Sequence, residues 1–150
     1  MTRIGIYRTL LWTASVLGIL SFIYINSLMP ASASDEQSGA VFSWVSRLFP
    51  FLTHHLVRKL AHFSEYALLG VHFAALPLLV PRHAFPMLAL ALPAGPLFAL
   101  ADEGVQRLVP GRSGNLTDVF IDALGYACGI FVGFAVIFLI TRIRRKHREG

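Results

Sequence analysis

The sequence predicts an all-α fold: a polytopic membrane bundle of four transmembrane helices, with a short interfacial amphipathic helix after the first. Of the 150 residues, 55% are hydrophobic and only 14% are charged, and the mean hydropathy is +0.64. A soluble domain carries about 25% charged residues, so this composition indicates one integral membrane domain spanning residues 1–150. Four apolar runs, each near the roughly 20 residues needed to cross a bilayer, are the second observation.

The first spanning helix is predicted at about residues 10–29. The basic start at Arg3 and Arg8, the apolar run and the Ala31-Ser32-Ala33 sequence also resemble a cleavable signal peptide. The apolar run exceeds the roughly 7–15 residues of a signal sequence, which favours a retained helix. Cleavage of residues 1–33 stays open as the alternative.

A solvated loop and a short helix are predicted after the first span. Residues 30–40 are mostly small or polar, which is typical of a loop. Apolar side chains at helical spacing, such as Val41, Val45 and Leu48, predict an interfacial helix over about residues 41–52. An amphipathic lid packed on the bundle is the alternative interpretation of the same segment.

Three further spanning helices are predicted at about residues 60–80, 84–101 and 118–140. Pro93 and Pro96 lie inside the third, so a kink or local unwinding is expected there. In the fourth helix, glycines repeat every four residues and predict a small-residue ridge for close helix packing. These glycines are Gly125, Gly129 and Gly133.

The distribution of basic residues predicts the topology. The formal net charge is +5, and its excess lies beside apolar runs, which favours a lipid bilayer over nucleic acid as the partner. With four spans, the side of the termini holds eight of the 13 lysines and arginines: Arg3, Arg8, Arg82 and five between Arg142 and Arg148. The positive-inside rule therefore places both termini in the cytoplasm.

Charged and polar side chains from three distant segments converge at the extracytoplasmic end under this topology. Ionisable residues in spanning helices usually face the bundle interior or a water-filled cavity. We therefore predict one functional cleft, with Lys59 and Tyr66 at its rim; ion pairs that merely orient the helices are the alternative. The predicted cleft residues are Lys59, His62, Glu65, Tyr66, Asp102, Glu103, Gln106, Arg112, Asp118 and Asp122.

Four of these residues are candidate metal ligands. His62 and Glu65 are three residues apart, and Asp118 and Asp122 are four apart, so each pair shares a helical face. Such a set suits a hard or borderline cation. We expect no cofactor, with a divalent metal as the alternative.

Two motifs carry a resemblance to a known family. The stretches Lys59-Leu-Ala-His62-Phe-Ser-Glu65-Tyr66 and Asp102-Glu103-Gly-Val-Gln106-Arg-Leu-Val-Pro110-Gly111-Arg112, with the later Asp118, resemble the VanZ-like family of bacterial membrane proteins. The family commonly has Asn where this chain has Asp122, a departure that puts the role of this position in doubt.

This resemblance implies a small multi-pass protein of the bacterial cytoplasmic (inner) membrane that acts at the cell envelope. The name-giving member is associated with resistance to the glycopeptide antibiotic teicoplanin, so a lipid-linked cell-wall precursor or a lipophilic glycopeptide is the implied partner. The alternative function is a membrane-embedded enzyme, with or without a metal, acting on a lipid-linked or phosphate-bearing envelope substrate. The sequence gives no oligomeric state and no catalytic residue.

Overall fold

The chain folds almost entirely into α-helices, as predicted. A computed structural model describes residues 3–80, 83–112 and 114–149, and these ranges contain no strand. Arg82, which the topology prediction uses, lies outside the described residues. The helices are α1 (Arg3–Leu28), α2 (Ala31–Leu48), α3 (His54–Ala74), α4 (Leu76–Leu79), α5 (Ala84–Arg107) and α6 (Leu116–Glu149).

Three helices in the described ranges are long and apolar enough to cross a membrane, namely α1, α5 and α6. The predicted span at residues 60–80 is the exception, because α3 begins at His54, ends at Ala74 and carries Arg58, Lys59 and Glu65. A helical membrane bundle is therefore supported, whereas the predicted number of four spans is not confirmed.

The packing of α3 on α6 is the most extensive helix contact in the bundle. The glycines of α6 lie against successive turns of α3: Gly125 faces Phe63, Gly129 faces Ala67, and Gly133 faces Val71 and Ala74. Residue numbers rise together along both helices, so α3 and α6 run parallel. Each α6 glycine brings the backbones close because no Cβ separates them.

The first helix runs antiparallel to α3 and parallel to α5. Near its start, Trp12 Nε1 donates to the His72 carbonyl oxygen at 2.8 Å, and near its end Asn26 donates to Glu65 at 3.3 Å. Toward α5, the hydroxyl of Tyr24 donates to the carbonyl of Phe98 at 3.3 Å. The end of α1, the start of α3, the end of α5 and the start of α6 therefore meet at one end of the bundle.

The prediction of a loop at residues 30–40 is wrong, because α2 begins at Ala31 and ends at Leu48. The interfacial helix predicted at residues 41–52 is thus the second half of a longer helix, and it ends at Leu48 rather than at residue 52. Its polar first half is held by tertiary bonds: Ser34 accepts from Arg112 at 2.6 Å, and Ser38 bonds His54 at 2.8 Å. These contacts stabilise a helix that composition alone does not favour.

Other helix boundaries also differ from the prediction. Thr53 caps α3 by accepting from the backbone N–H of Leu56 at 3.2 Å, which starts that helix before residue 60. The fifth helix continues as α-helix through Pro93 and Pro96, so the local unwinding expected there is absent. Next to this stretch the Tyr126 hydroxyl donates to the carbonyl of Ala91 at 2.6 Å, which ties α6 to α5.

Candidate functional site

Polar side chains gather where α1, α3, α5 and α6 meet. At their centre, His62 of α3, Asp102 of α5 and Asp122 of α6 each offer a ligand atom within 4.8 Å of the other two. Asp102 is fully buried and Asp122 is 3% exposed. His62 Nδ1 and the Oδ1 atoms of both aspartates are buried and have no hydrogen-bond partner in the described part of the chain. We call these three residues the triad.

The second oxygen of Asp102 is held in place by the end of its own helix. Gln106, one turn further along α5, donates from Nε2 to Asp102 Oδ2 at 3.0 Å and to the Ser27 hydroxyl at 3.4 Å. Ser27 is fully buried at the end of α1. These bonds fix the Asp102 carboxylate and tie α5 to α1.

Arg112 closes the site from the turn between α5 and α6. Gly111 adopts a positive φ of 79°, a conformation that glycine adopts at no steric cost, and this turn directs the chain back over the bundle. Arg112 donates to the Ser27 carbonyl at 3.1 Å and to the Ser34 hydroxyl at 2.6 Å. Burial, followed by the nearby charge of Arg58, lowers the pKa of the Arg112 guanidinium.

Two of the predicted metal ligands lie apart from the triad. Glu65 accepts from Asn26 of α1 at 3.3 Å, and its Oε2 atom is buried without a described partner. Asp118 pairs with Lys59, with 3.2 Å between Oδ1 and Nζ. The structure thus groups His62 and Asp122 with Asp102 rather than with Glu65 and Asp118.

Glu103 and Tyr66 are two further predicted site residues, and both are buried. Glu103 is 4% exposed, and Arg107 Nε lies 3.7 Å from its Oε1, an ion pair too long for a hydrogen bond. Tyr66 is fully buried in the core and lines neither cavity described below, so it does not lie at the rim where we predicted it. Its hydroxyl has no hydrogen-bond partner among the described residues.

Two cavities open beside the triad and share the side chains of Arg58, His62 and Arg112. The polar cavity, of about 120 Å³, is lined by Ala31, Asp35, Arg58, Lys59, His62, Gln106, Gly111, Arg112, Asp118, Ile121 and Asp122. The amphipathic cavity, of about 220 Å³, is lined by Phe22, Asn26, Ser34, Gln37, Ser38, Val41, Val57, Arg58, Ala61, His62, Glu65 and Arg112. The shared side chains form the boundary between the two.

Sequence reasoning missed Asn26, Ser27 and the first half of α2. Asn26 and Ser27 are adjacent polar residues at the end of an otherwise apolar span, and this interruption is the signal that could have revealed them. The location of Ser34 and Ser38 beside the site could not be predicted, because the composition of their segment is typical of a loop. His72, by contrast, is satisfied by Ser15 at 2.8 Å and by its own helix, away from the triad.

A helical bundle with three membrane-length apolar helices and charged residues gathered at one end defines a multi-pass membrane protein. The sequence profile of the VanZ/LLP1 family matches residues 12–140, so the chain belongs to the VanZ/LLP1 family. No curated protein and no solved structure matches the chain.

Proposed function

We propose that this VanZ/LLP1 protein binds an anionic lipid-linked molecule of the cell envelope at the extracytoplasmic end of its helix bundle. Both termini lie in the cytoplasm of the bacterial inner membrane in this proposal. The protein either withholds or presents the bound lipid-linked molecule. In this way it reduces the action of lipophilic glycopeptides of the teicoplanin type. The family membership supports the link to glycopeptides, and the charge distribution supports the orientation.

The observation that carries the proposal is the pair of cavities that share Arg58, His62 and Arg112. An amphiphile with a phosphate between a polar group and an apolar chain matches this arrangement. The guanidinium groups at the boundary would hold the phosphate through charge-assisted hydrogen bonds. Phe22, Val41 and Val57 give the second cavity an apolar lining for the first part of the chain.

The charges around the two cavities favour the phosphate at their boundary rather than deep in the polar cavity. The polar cavity has Asp35, Asp118 and Asp122 in its lining, which would repel an anion. Lys59 is paired with Asp118 in a half-buried ion pair, whereas the ion pair of Arg58 with Asp35 is more exposed to solvent and is more easily exchanged for a ligand. Arg112 has no carboxylate among its hydrogen-bond partners in the described residues, since it bonds Ser27 and Ser34, and so retains its positive charge for a ligand.

The test uses Arg58→Gln with Arg47→Gln as a matched control. Both changes remove one positive charge from a side chain that is at least partly exposed, but Arg47 lines neither cavity. The ion pair of Arg58 with Asp35 is solvent-exposed at 3.4 Å, so its loss costs little stability. We expect Arg58→Gln to weaken binding of a long-chain prenyl phosphate about tenfold or more.

Two comparisons define the ligand and connect it to the cell. The prenyl alcohol and inorganic phosphate should each bind more weakly than the prenyl phosphate, because the alcohol lacks the phosphate and inorganic phosphate lacks the apolar chain. Cells producing Arg47→Gln should be as susceptible to teicoplanin as cells producing the parent. Cells producing Arg58→Gln should be as susceptible as cells that lack the protein. Equal effects of the two substitutions on binding would contradict the proposal.

A further inference from the structure

We propose that His62, Asp102 and Asp122 form a binding site for one divalent transition-metal cation, Zn²⁺ or Mn²⁺, beside the polar cavity. The inference goes beyond the proposed function and does not depend on it, because the lipid proposal assigns the phosphate to Arg58 and Arg112. It also differs from the ligand set predicted from the sequence, which included Glu65 and Asp118 and lacked Asp102.

The geometry brings three ligand atoms from three helices to one point. The imidazole nitrogen and the two carboxylate oxygens lie within 4.8 Å of one another. Ligand atoms around a tetrahedral zinc at about 2.0–2.2 Å are separated by roughly 3.3–3.6 Å, so modest side-chain rotation closes the site. Because the three helices are already packed at this end, no helix has to move.

The second observation is that each of the three side chains has a buried polar atom without a hydrogen-bond partner among the described residues. Oδ1 of Asp102 and Oδ1 of Asp122 have no hydrogen-bond partner among the described residues, although both side chains are at least nine-tenths buried. Buried carboxylates without partners are unfavourable, and they are normally paired or bound to a metal. The neighbouring bases do not hydrogen-bond these oxygens. Arg58, Lys59 and Arg107 form ion pairs with other acids. Arg112 donates to Ser27 and Ser34 instead.

The surroundings of Asp102 match those of a metal ligand. Its other oxygen accepts from Gln106 at 3.0 Å, which orients the carboxylate and leaves Oδ1 free for a cation. Metal-binding carboxylates are usually oriented by such outer hydrogen bonds. Gln106 is in turn bonded to the buried hydroxyl of Ser27.

The donor set selects the class of ion. One imidazole nitrogen suits Zn²⁺ and other borderline cations, whereas Mg²⁺ and Ca²⁺ prefer sites made of oxygen alone. Three protein ligands leave at least one coordination position open, as in zinc sites that also bind a water or a ligand. Since His62 and Asp122 line the polar cavity, that position is reached from the cavity.

The experiment measures metal binding to the full chain purified in detergent and stripped with a chelator. Zn²⁺ alone is titrated by calorimetry, and Mn²⁺ alone is titrated by electron paramagnetic resonance. We expect about one ion per chain. Asp122→Asn and His62→Gln should each weaken the affinity by more than about 100-fold, since even outer-shell changes at metal sites cost about 10–100-fold.

Asp118→Asn is the matched control, because it removes the same charge one turn earlier on α6, outside the triad. It should keep the affinity of the parent within a few-fold. Circular dichroism melting of the stripped proteins verifies that each variant is folded, and His62→Gln serves if Asp122→Asn does not fold. No binding to the parent, binding that Asp122→Asn and His62→Gln leave intact, or an equal loss in Asp118→Asn would overturn the proposal.

Discussion

The contact between Gly129 of α6 and Ala67 of α3 allows a prediction with a worked magnitude. A Cβ added at Gly129 would overlap the carbonyl oxygen of Ala67 and lie 2.7 Å from its carbonyl carbon and 2.9 Å from its Cα. These are backbone atoms and cannot rotate away, so Gly129→Ala must push the two helices apart. Gly104→Ala is the matched control, because a Cβ there would meet no described atom within 4 Å.

Two effects oppose each other in these variants. Alanine is favoured over glycine within a helix by about 0.8–1.0 kcal/mol, and both variants gain this. Overpacking costs roughly 1–3 kcal/mol and applies to Gly129→Ala alone. The difference between the variants is therefore about 1–3 kcal/mol, which corresponds to a gap in melting temperature of roughly 2–12 °C for a domain of this size.

The assay is thermal unfolding of the two purified variants and the parent in one detergent, followed by circular dichroism. Gly129→Leu adds more atoms at the same point and should lower the melting temperature further. If Gly129→Ala has the same melting temperature as Gly104→Ala, and this temperature is not below that of the parent, then the backbones of α3 and α6 do not approach each other at this glycine. The parallel packing of these helices would then be refuted as well.

The remaining predictions concern topology and the polar residues. Leu108→Cys in a Cys128→Ser background should react with a membrane-impermeant maleimide from outside the cell, because Leu108 is 84% exposed beside the site; labelling only after permeabilisation would reverse the topology. Glu65→Gln should change the melting temperature little, because the amide oxygen can still accept from Asn26; a clear drop would show that the carboxylate charge is needed for stability. Asp118→Asn should lower stability by about 1 kcal/mol, because it weakens a partly exposed ion pair; an unchanged melting temperature would show that this pair is not stabilising.

The sequence predicted the helical class and several residues of the site, but not which carboxylates meet. Residues three apart on a helix share a face, yet they differ by about 60° in direction and by about 4.5 Å along the axis. That difference is enough for Glu65 to reach Asn26 on α1 while His62 approaches Asp102 and Asp122. Such pairings depend on how each helix is rotated against its neighbours, which a single sequence does not specify.

The first half of α2 was missed for a different reason. Local propensity in residues 31–40 is that of a loop, because serine, aspartate and glycine compete with the helix for backbone bonds. In the folded chain Ser38 instead donates to the carbonyl of Ser34 at 2.8 Å and bonds His54 across the interface. Tertiary contacts therefore decide the conformation of this segment.

The packing of α3 bears on whether this helix crosses the membrane, which its hydropathy leaves open. On composition alone, Arg58, Lys59 and Glu65 exclude this helix from the membrane-length apolar spans. Yet its turns from Phe63 to Ala74 lie side by side with α6, whose sequence is long and apolar enough to cross a bilayer. A helix packed over three turns along a helix of membrane length lies at the same depth, and on this ground we propose α3 as the fourth span. Its charged first turns then need water, ion pairs or a cation at the membrane boundary, and the polar cavity and the triad lie at that level.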